Sequence, residues 1–95
     1  MKIKVTLDQQ PLDFLRSLPP ATKRQVRDAL HAIERGEAVP VALEDELDGF
    51  YKIKVAGFRL IATHLTDAAG PRYRVVFAER RPVVYVLFKQ LLGLE

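Results

Sequence analysis

Apolar and polar residues alternate at the start of the chain, Ile3, Val5 and Leu7 against Lys2, Lys4 and Thr6, which predicts a half-buried strand over residues 1–7. The period then lengthens. Leu12, Leu15 and Leu18 recur at helical spacing, so a first helix is expected over residues 10–18, with Pro11 suited to its first turn. Pro19-Pro20 breaks that helix, and Thr22, three residues before Gln25, offers a capping box for a second one. The second helix carries Val26, Ala29, Leu30 and Ile33 on one stripe and ends at Gly36; Val26, Leu30 and Ile33 are its expected core residues. Residues 37–48 form a loop whose acidic run, Glu44-Asp45-Glu46 and Asp48, reads as a solvated segment, since its spacing is not that of a calcium loop. Three strands follow over residues 50–55, 58–65 and 72–79, turning at Ala56-Gly57 and again over residues 67–71.

The tail, residues 83–94, is apolar nearly all round and reads as a fourth strand running into a short helix, with more apolar surface than a small domain hides by itself. The fold class is therefore α+β: an N-terminal strand, a helical hairpin, then an antiparallel sheet of three to four strands with a short C-terminal helix. The hairpin is expected on one sheet face, all within a single domain over residues 1–95.

Composition narrows the function. A hydrophobic content of 48% with 28% charged residues is that of a chain that folds. No apolar run is long enough to span a membrane and the N-terminus lacks a signal-peptide core, which gives a cytoplasmic reading. There is no cysteine, which removes disulfides, thiolate nucleophiles and zinc ribbons together. The net charge of +3 is unevenly spread: residues 1–49 carry 7 Lys/Arg against 9 Asp/Glu, and residues 50–95 carry 8 against 3. Such asymmetry points to a basic working face for a phosphate-bearing partner.

The cations of that half are patterned. In a hairpin turning at Ala56-Gly57, Lys52 and Lys54 share one face, and pairing Val55 with Phe58 sets Lys54 opposite Arg59. Like charges about 6 Å apart at an effective dielectric of roughly 20 to 80 cost about 0.7 to 3 kcal/mol, a strain that a polyanion relieves. His31 and His64 have no third ligand at a recognisable spacing, so both read as surface or satisfied histidines, and no metal site is expected. His64 reaches the cationic site only if its strand carries it toward Arg59.

Three segments taken in order, Leu47-Asp48-Gly49-Phe50-Tyr51-Lys52-Ile53-Lys54-Val55, Gly57-Phe58-Arg59-Leu60 and Arg81-Pro82-Val83-Val84-Tyr85, resemble the RelE branch of the RelE/ParE toxin superfamily of bacterial toxin–antitoxin systems. The likeness takes in the leading strand and helical hairpin too. It implies a small ribonuclease that enters the ribosomal A site and cuts mRNA without a metal or other cofactor. Its further implied partners are a cognate antitoxin and, only through that antitoxin, DNA. Carried over, the resemblance puts Lys52 and Lys54 at the paired lysines, Arg59 at the glycine-aromatic-arginine position, and Arg81 and Tyr85 at the terminal Arg-x-x-x-Tyr. Arg80 is the alternative to Arg81, and Arg80 and Arg74 are the expected substrate contacts. The chain departs from the pattern at Pro82-Val83-Val84, where the family has a small polar residue.

RNA carries its own nucleophile, the 2′-hydroxyl. Cleavage needs a base for that proton, cations for the charge that builds on the phosphorane, and an acid for the departing 5′-oxygen. Tyr85 or Lys54 is the candidate base, Arg59 and Lys52 stabilise the phosphorane, and Arg81 supports the leaving side. A phenol of reference pKa about 10 is about one part in a thousand ionised at neutral pH, a fraction that adjacent cations raise. Two alternative readings stand beside the nuclease: a ParE-like toxin, which shares the fold, poisons DNA gyrase and has no use for the lysine and tyrosine set, and an inactive antitoxin-binding relative or basic RNA-binding module.

Overall fold

The computed structural model describes residues 3–94. Strand β1 (Lys4–Leu7) leads into helices α1 (Gln9–Arg16) and α2 (Pro20–Glu34), then a two-residue strand β2 (Val41–Ala42). A 3₁₀ turn (Asp45–Leu47) precedes the meander β3 (Phe50–Val55), β4 (Phe58–Asp67) and β5 (Gly70–Arg80), and the chain closes with α3 (Arg81–Leu92). All five strands form one sheet in the order β1-β5-β4-β3-β2, with β1 parallel to β5 and the other pairs antiparallel.

Alternation along the strands divides the core in two. Ile53 and Val55 of β3, Phe58, Leu60 and Ala62 of β4, and Val75 and Ala78 of β5 meet Val26 and Ile33 of α2 and Phe14 and Leu15 of α1. The opposite face holds Phe50, Ile61 and Phe77, which meet Val84 and Phe88 of α3 together with Leu47. The hairpin thus covers one face, as expected, and α3 covers the other. Leu30 is only half-buried, whereas Val26 and Ile33 are fully enclosed.

The sheet is larger than the sequence predicts because β1 joins β5 at one edge and Val41–Ala42 pairs with Lys52 and Tyr51 at the other. The tail holds no fourth strand; it is helical from Arg81. Pro82 lies in the first turn of α3, where its fixed φ and missing N–H suit a helix start and deny a ladder donor, overriding the β-branched pair Val83-Val84. The second helix likewise opens on Pro20, before Thr22, and no side chain caps it. The last meander turn is tighter than expected, with Asp67 accepting a hydrogen bond from the Ala69 amide at 2.9 Å.

Two local devices orient the site. In β5, Ile61 pairs with Phe77 and Ala62 with Val75, so Val76 is an extra residue and the side-chain alternation of β5 reverses there. Where β1 has run out beside β5, the Gln10 amide takes over: its Nε2 donates to the Ala78 carbonyl and its Oε1 accepts from the Ala78 N–H, both at 2.8 Å.

Candidate active site

The β3–β4 hairpin turns at Ala56-Gly57, with Ala56 at φ 50°, and Val55 pairs with Phe58, so Lys54 stands opposite Arg59 as the sequence predicts. Arg59 is the buried charged residue of the described core, 8% exposed, and its Nη1 donates to the Phe58 carbonyl at 2.8 Å and the Ala56 carbonyl at 3.4 Å. Among the described residues no carboxylate lies within ion-pair distance of Lys52, Lys54, Arg59, Arg80 or Arg81. Glu79, opposite Arg59 in register, instead accepts from the Arg80 amide at 2.9 Å. A guanidinium is charged at any physiological pH and offers five N–H donors. Arg59 uses one nitrogen on its own turn, and the rest of the fork has no hydrogen-bond partner among the described residues.

Helix α3 reaches the same place because the Arg81 amide donates to the Gly57 carbonyl at 2.9 Å, fastening the helix start to the hairpin turn. Residues four apart share a helix face, so Arg81, Tyr85 and Lys89 form one stripe along α3. Val84 and Phe88 alternate with them toward the sheet and hold the stripe in position; the Phe88 ring is edge-on to Phe50 at 4.9 Å. Tyr85 and Lys52 line a common cavity of about 360 Å³, whose wall is completed by Lys89 and the acidic turn Glu44-Asp45-Glu46.

The structure therefore brings Lys52, Lys54, Arg59, Arg81 and Tyr85 to the α3 side of the β3–β4 hairpin. It separates the remaining candidates. The bulge at Val76 turns Arg80 to the other face, where it lines a cavity with Phe14, Leu18 and Phe58, so Arg80 does not stand in for Arg81. Arg74 is bidentate on Asp8, at 2.8 and 2.9 Å; that carboxylate holds the guanidinium above its usual range, and the pair ties β5 to the start of α1. His64 is an exposed residue on the helical-hairpin face, its ring 4.7 Å from Tyr73 and 6.1 Å from Tyr51, and is not carried toward Arg59. Burial beside Tyr51 pushes the Tyr73 phenol up, as suits a packing residue.

Sequence reasoning did not single out Lys89 or Glu46. Lys89 was legible as the i+4 neighbour of Tyr85 once the tail is read as helix from Arg81. Glu46 was legible only through the fold, since the acidic run is not merely solvated: Glu46 forms an ion pair with Lys89, Oε1 to Nζ 3.0 Å, and Leu47 is buried against α3. Among the described residues, no group of three or more His, Asp or Glu is placed to hold a metal ion, and no helix is long and apolar enough to cross a membrane.

This arrangement of sheet, hairpin and C-terminal helix matches solved toxins over 82 to 100% of the chain. The chain has the RelE/ParE-like toxin fold. It is similar to a chain of the RelBE2 toxin–antitoxin complex of Mycobacterium tuberculosis, with a TM-score of 0.69 at 19% identity over 85% of this chain and 100% of that one. Against a double arginine mutant of E. coli toxin RelE in the free state the TM-score is 0.70 at 16% identity over all of both chains. Against a YoeB/ParE toxin from Agrobacterium tumefaciens it is 0.63 at 13% identity over 82% of this chain and 98% of that one. No family model and no curated protein matches the sequence.

Proposed function

We propose that this protein is the toxin of a toxin–antitoxin pair and cuts mRNA on the ribosome by metal-independent transfer to the RNA's own 2′-hydroxyl. One observation carries the reading: a half-built anion site, in which Lys54 and Arg59 face each other with no carboxylate between them and Arg81 is tied to the same turn. A chain that keeps opposed cations unneutralised holds them for a polyanion. Tyr85, sharing its cavity with Lys52, is the base that takes the 2′-hydroxyl proton, while Lys54 is exposed beside the turn. The 2′-oxygen attacks phosphorus, Arg59 and Lys52 hold the phosphorane charge, and the bond to the 5′-oxygen breaks on the Arg81 side, leaving a 2′,3′-cyclic phosphate and a 5′-oxygen that takes its proton from water. An open, shallow site of this kind orients RNA poorly by itself, so the ribosome supplies the alignment.

Control is assigned to an antitoxin. Val83, Val86, Leu87, Leu91 and Leu92 are exposed along α3, and an apolar segment with acidic residues lying there covers the stripe and reaches the cations beside Tyr85. That the neighbours include a toxin from a toxin–antitoxin complex supports this partner.

Primer extension on a reporter mRNA, with and without translation, tests the assignment. Cuts confined to translated codons are expected. Growth arrest with intact mRNA and inhibited DNA gyrase would overturn it in favour of the gyrase-directed class, and antitoxin binding without either effect would identify an inactive relative.

A further inference from the structure

Lys89 stands outside the set of side chains given a role above, yet it occupies the next position on the Arg81–Tyr85 stripe of α3. Successive members of that stripe are four residues and about 6 Å apart along the axis. Its Nζ lies 3.0 Å from Glu46 Oε1, and the two side chains are 38% and 55% exposed. Ion pairs so open to solvent are weak. Both groups line the cavity that holds Lys52 and Tyr85, so a carboxylate oxygen occupies an anion position beside the reacting groups.

The segment that delivers Glu46 is held from below. Leu47 is buried with Val84 and Phe88, Asp45 adopts φ 57°, and Gly49 adopts φ 95°, which brings the chain sharply back into β3. A non-glycine residue at positive φ costs free energy and persists only where its surroundings impose it. The backbone of this turn is thus fixed by packing, while the Glu46 side chain at its rim is tied by one exposed ion pair.

We propose that Lys89 is a further RNA-binding residue and that Glu46 occupies its phosphate position in the RNA-free protein, yielding it to a phosphodiester of the bound single strand. The proposal rests on the RNA-directed reading of the neighbouring site. It lengthens the cationic track from the hairpin turn to the far end of α3 and makes Glu46 an electrostatic brake on binding.

Binding of a fluorescent single-stranded RNA oligonucleotide, 2′-O-methylated to prevent cleavage, is measured against salt for the full chain and its variants. Lys89→Gln is expected to weaken binding about three- to tenfold at low salt and to flatten the slope of log K against log salt by about 0.7, the loss of one phosphate contact. Lys89→Arg keeps the wild-type slope. Glu46→Gln is expected to tighten binding about two- to fivefold, the strength of an exposed pair. That gain disappears in the Lys89→Gln background, whereas a general effect of removing a negative charge survives there. A wild-type slope in Lys89→Gln, or a Glu46→Gln gain that persists without Lys89, overturns the proposal while leaving the nuclease reading standing. Wild-type protein that binds no RNA at any salt, and cuts none on the ribosome, overturns both.

Discussion

Arg59 and Lys54 face each other across the hairpin but differ in what holds them. Lys54 is exposed and makes no ion pair among the described residues, so Lys54→Gln removes like-charge repulsion and should leave the melting temperature level or raise stability by a few tenths of a kcal/mol. Arg59 is embedded and bonded to two carbonyls of its own turn, so Arg59→Gln should cost about 1 to 3 kcal/mol as those bonds go. In cleavage assays, Arg59→Ala should also slow the reaction about a hundredfold or more, as loss of one preorganised donor does. Differential scanning at low and high salt, beside cleavage rates, separates the two effects. A large melting loss in Lys54→Gln would mark it as a structural partner. The charges and their register were legible because period two and a two-residue turn fix which residues oppose each other. The burial of Arg59 was not, because a guanidinium nitrogen bonded to the carbonyls of its own turn leaves no trace in the pattern. Gln10 was equally silent. Its amide completes both backbone bonds of Ala78, so Gln10→Ala should cost about 1 to 3 kcal/mol in chemical denaturation, and an unchanged midpoint would contradict that role.

Among the elements, those with a strong period were readable and those decided by a single residue were not. The strand–hairpin–meander order followed from periodicity together with the breaks at Pro19-Pro20, Gly36 and the two turns, and the Val55 to Phe58 register is the one observed. The two-residue strand at Val41–Ala42 is too short to show a period, and β1 joins the sheet through a parallel pairing that no local signal announces. Pro82 decided the tail by starting α3 where the β-branched residues favoured a strand. The same element carries Tyr85, so its anchoring is testable through function. Phe88, 2% exposed and packed on Phe50 and Phe77, should cost about 3 to 5 kcal/mol when replaced by Ala and should lower cleavage as Tyr85 loses its support. Ile33→Ala, in the core on the opposite face, should cost about 2 to 5 kcal/mol while the folded fraction keeps its activity. Equal loss of activity per folded molecule in both variants would show that α3 does not position the site.

For the molecule as a whole, the sheet works as a partition: the hairpin side is closed by apolar packing, and the α3 side carries the unneutralised cations, the phenol and the acidic turn. The charge asymmetry between the two halves of the sequence becomes an asymmetry between faces because β3, β4 and α3 supply nearly all the site. Bulge parity removed Arg80 from that face and Asp8 engaged Arg74, two outcomes that depend on three-dimensional placement and so escaped the sequence. The central claim is that this face holds RNA so that its own 2′-hydroxyl attacks. The most direct measurement uses ribosomes programmed with an mRNA carrying a single 2′-deoxynucleotide at the mapped cut site, with Tyr85→Phe protein run alongside on the unmodified message. Wild-type protein should leave the deoxy message intact and cut the ribose message to fragments ending in a 2′,3′-cyclic phosphate and a 5′-hydroxyl. Tyr85→Phe should be slower by about a hundredfold to ten-thousandfold, the range of general-base loss. Efficient cutting of the deoxy message, or undiminished cutting by Tyr85→Phe, would contradict the account.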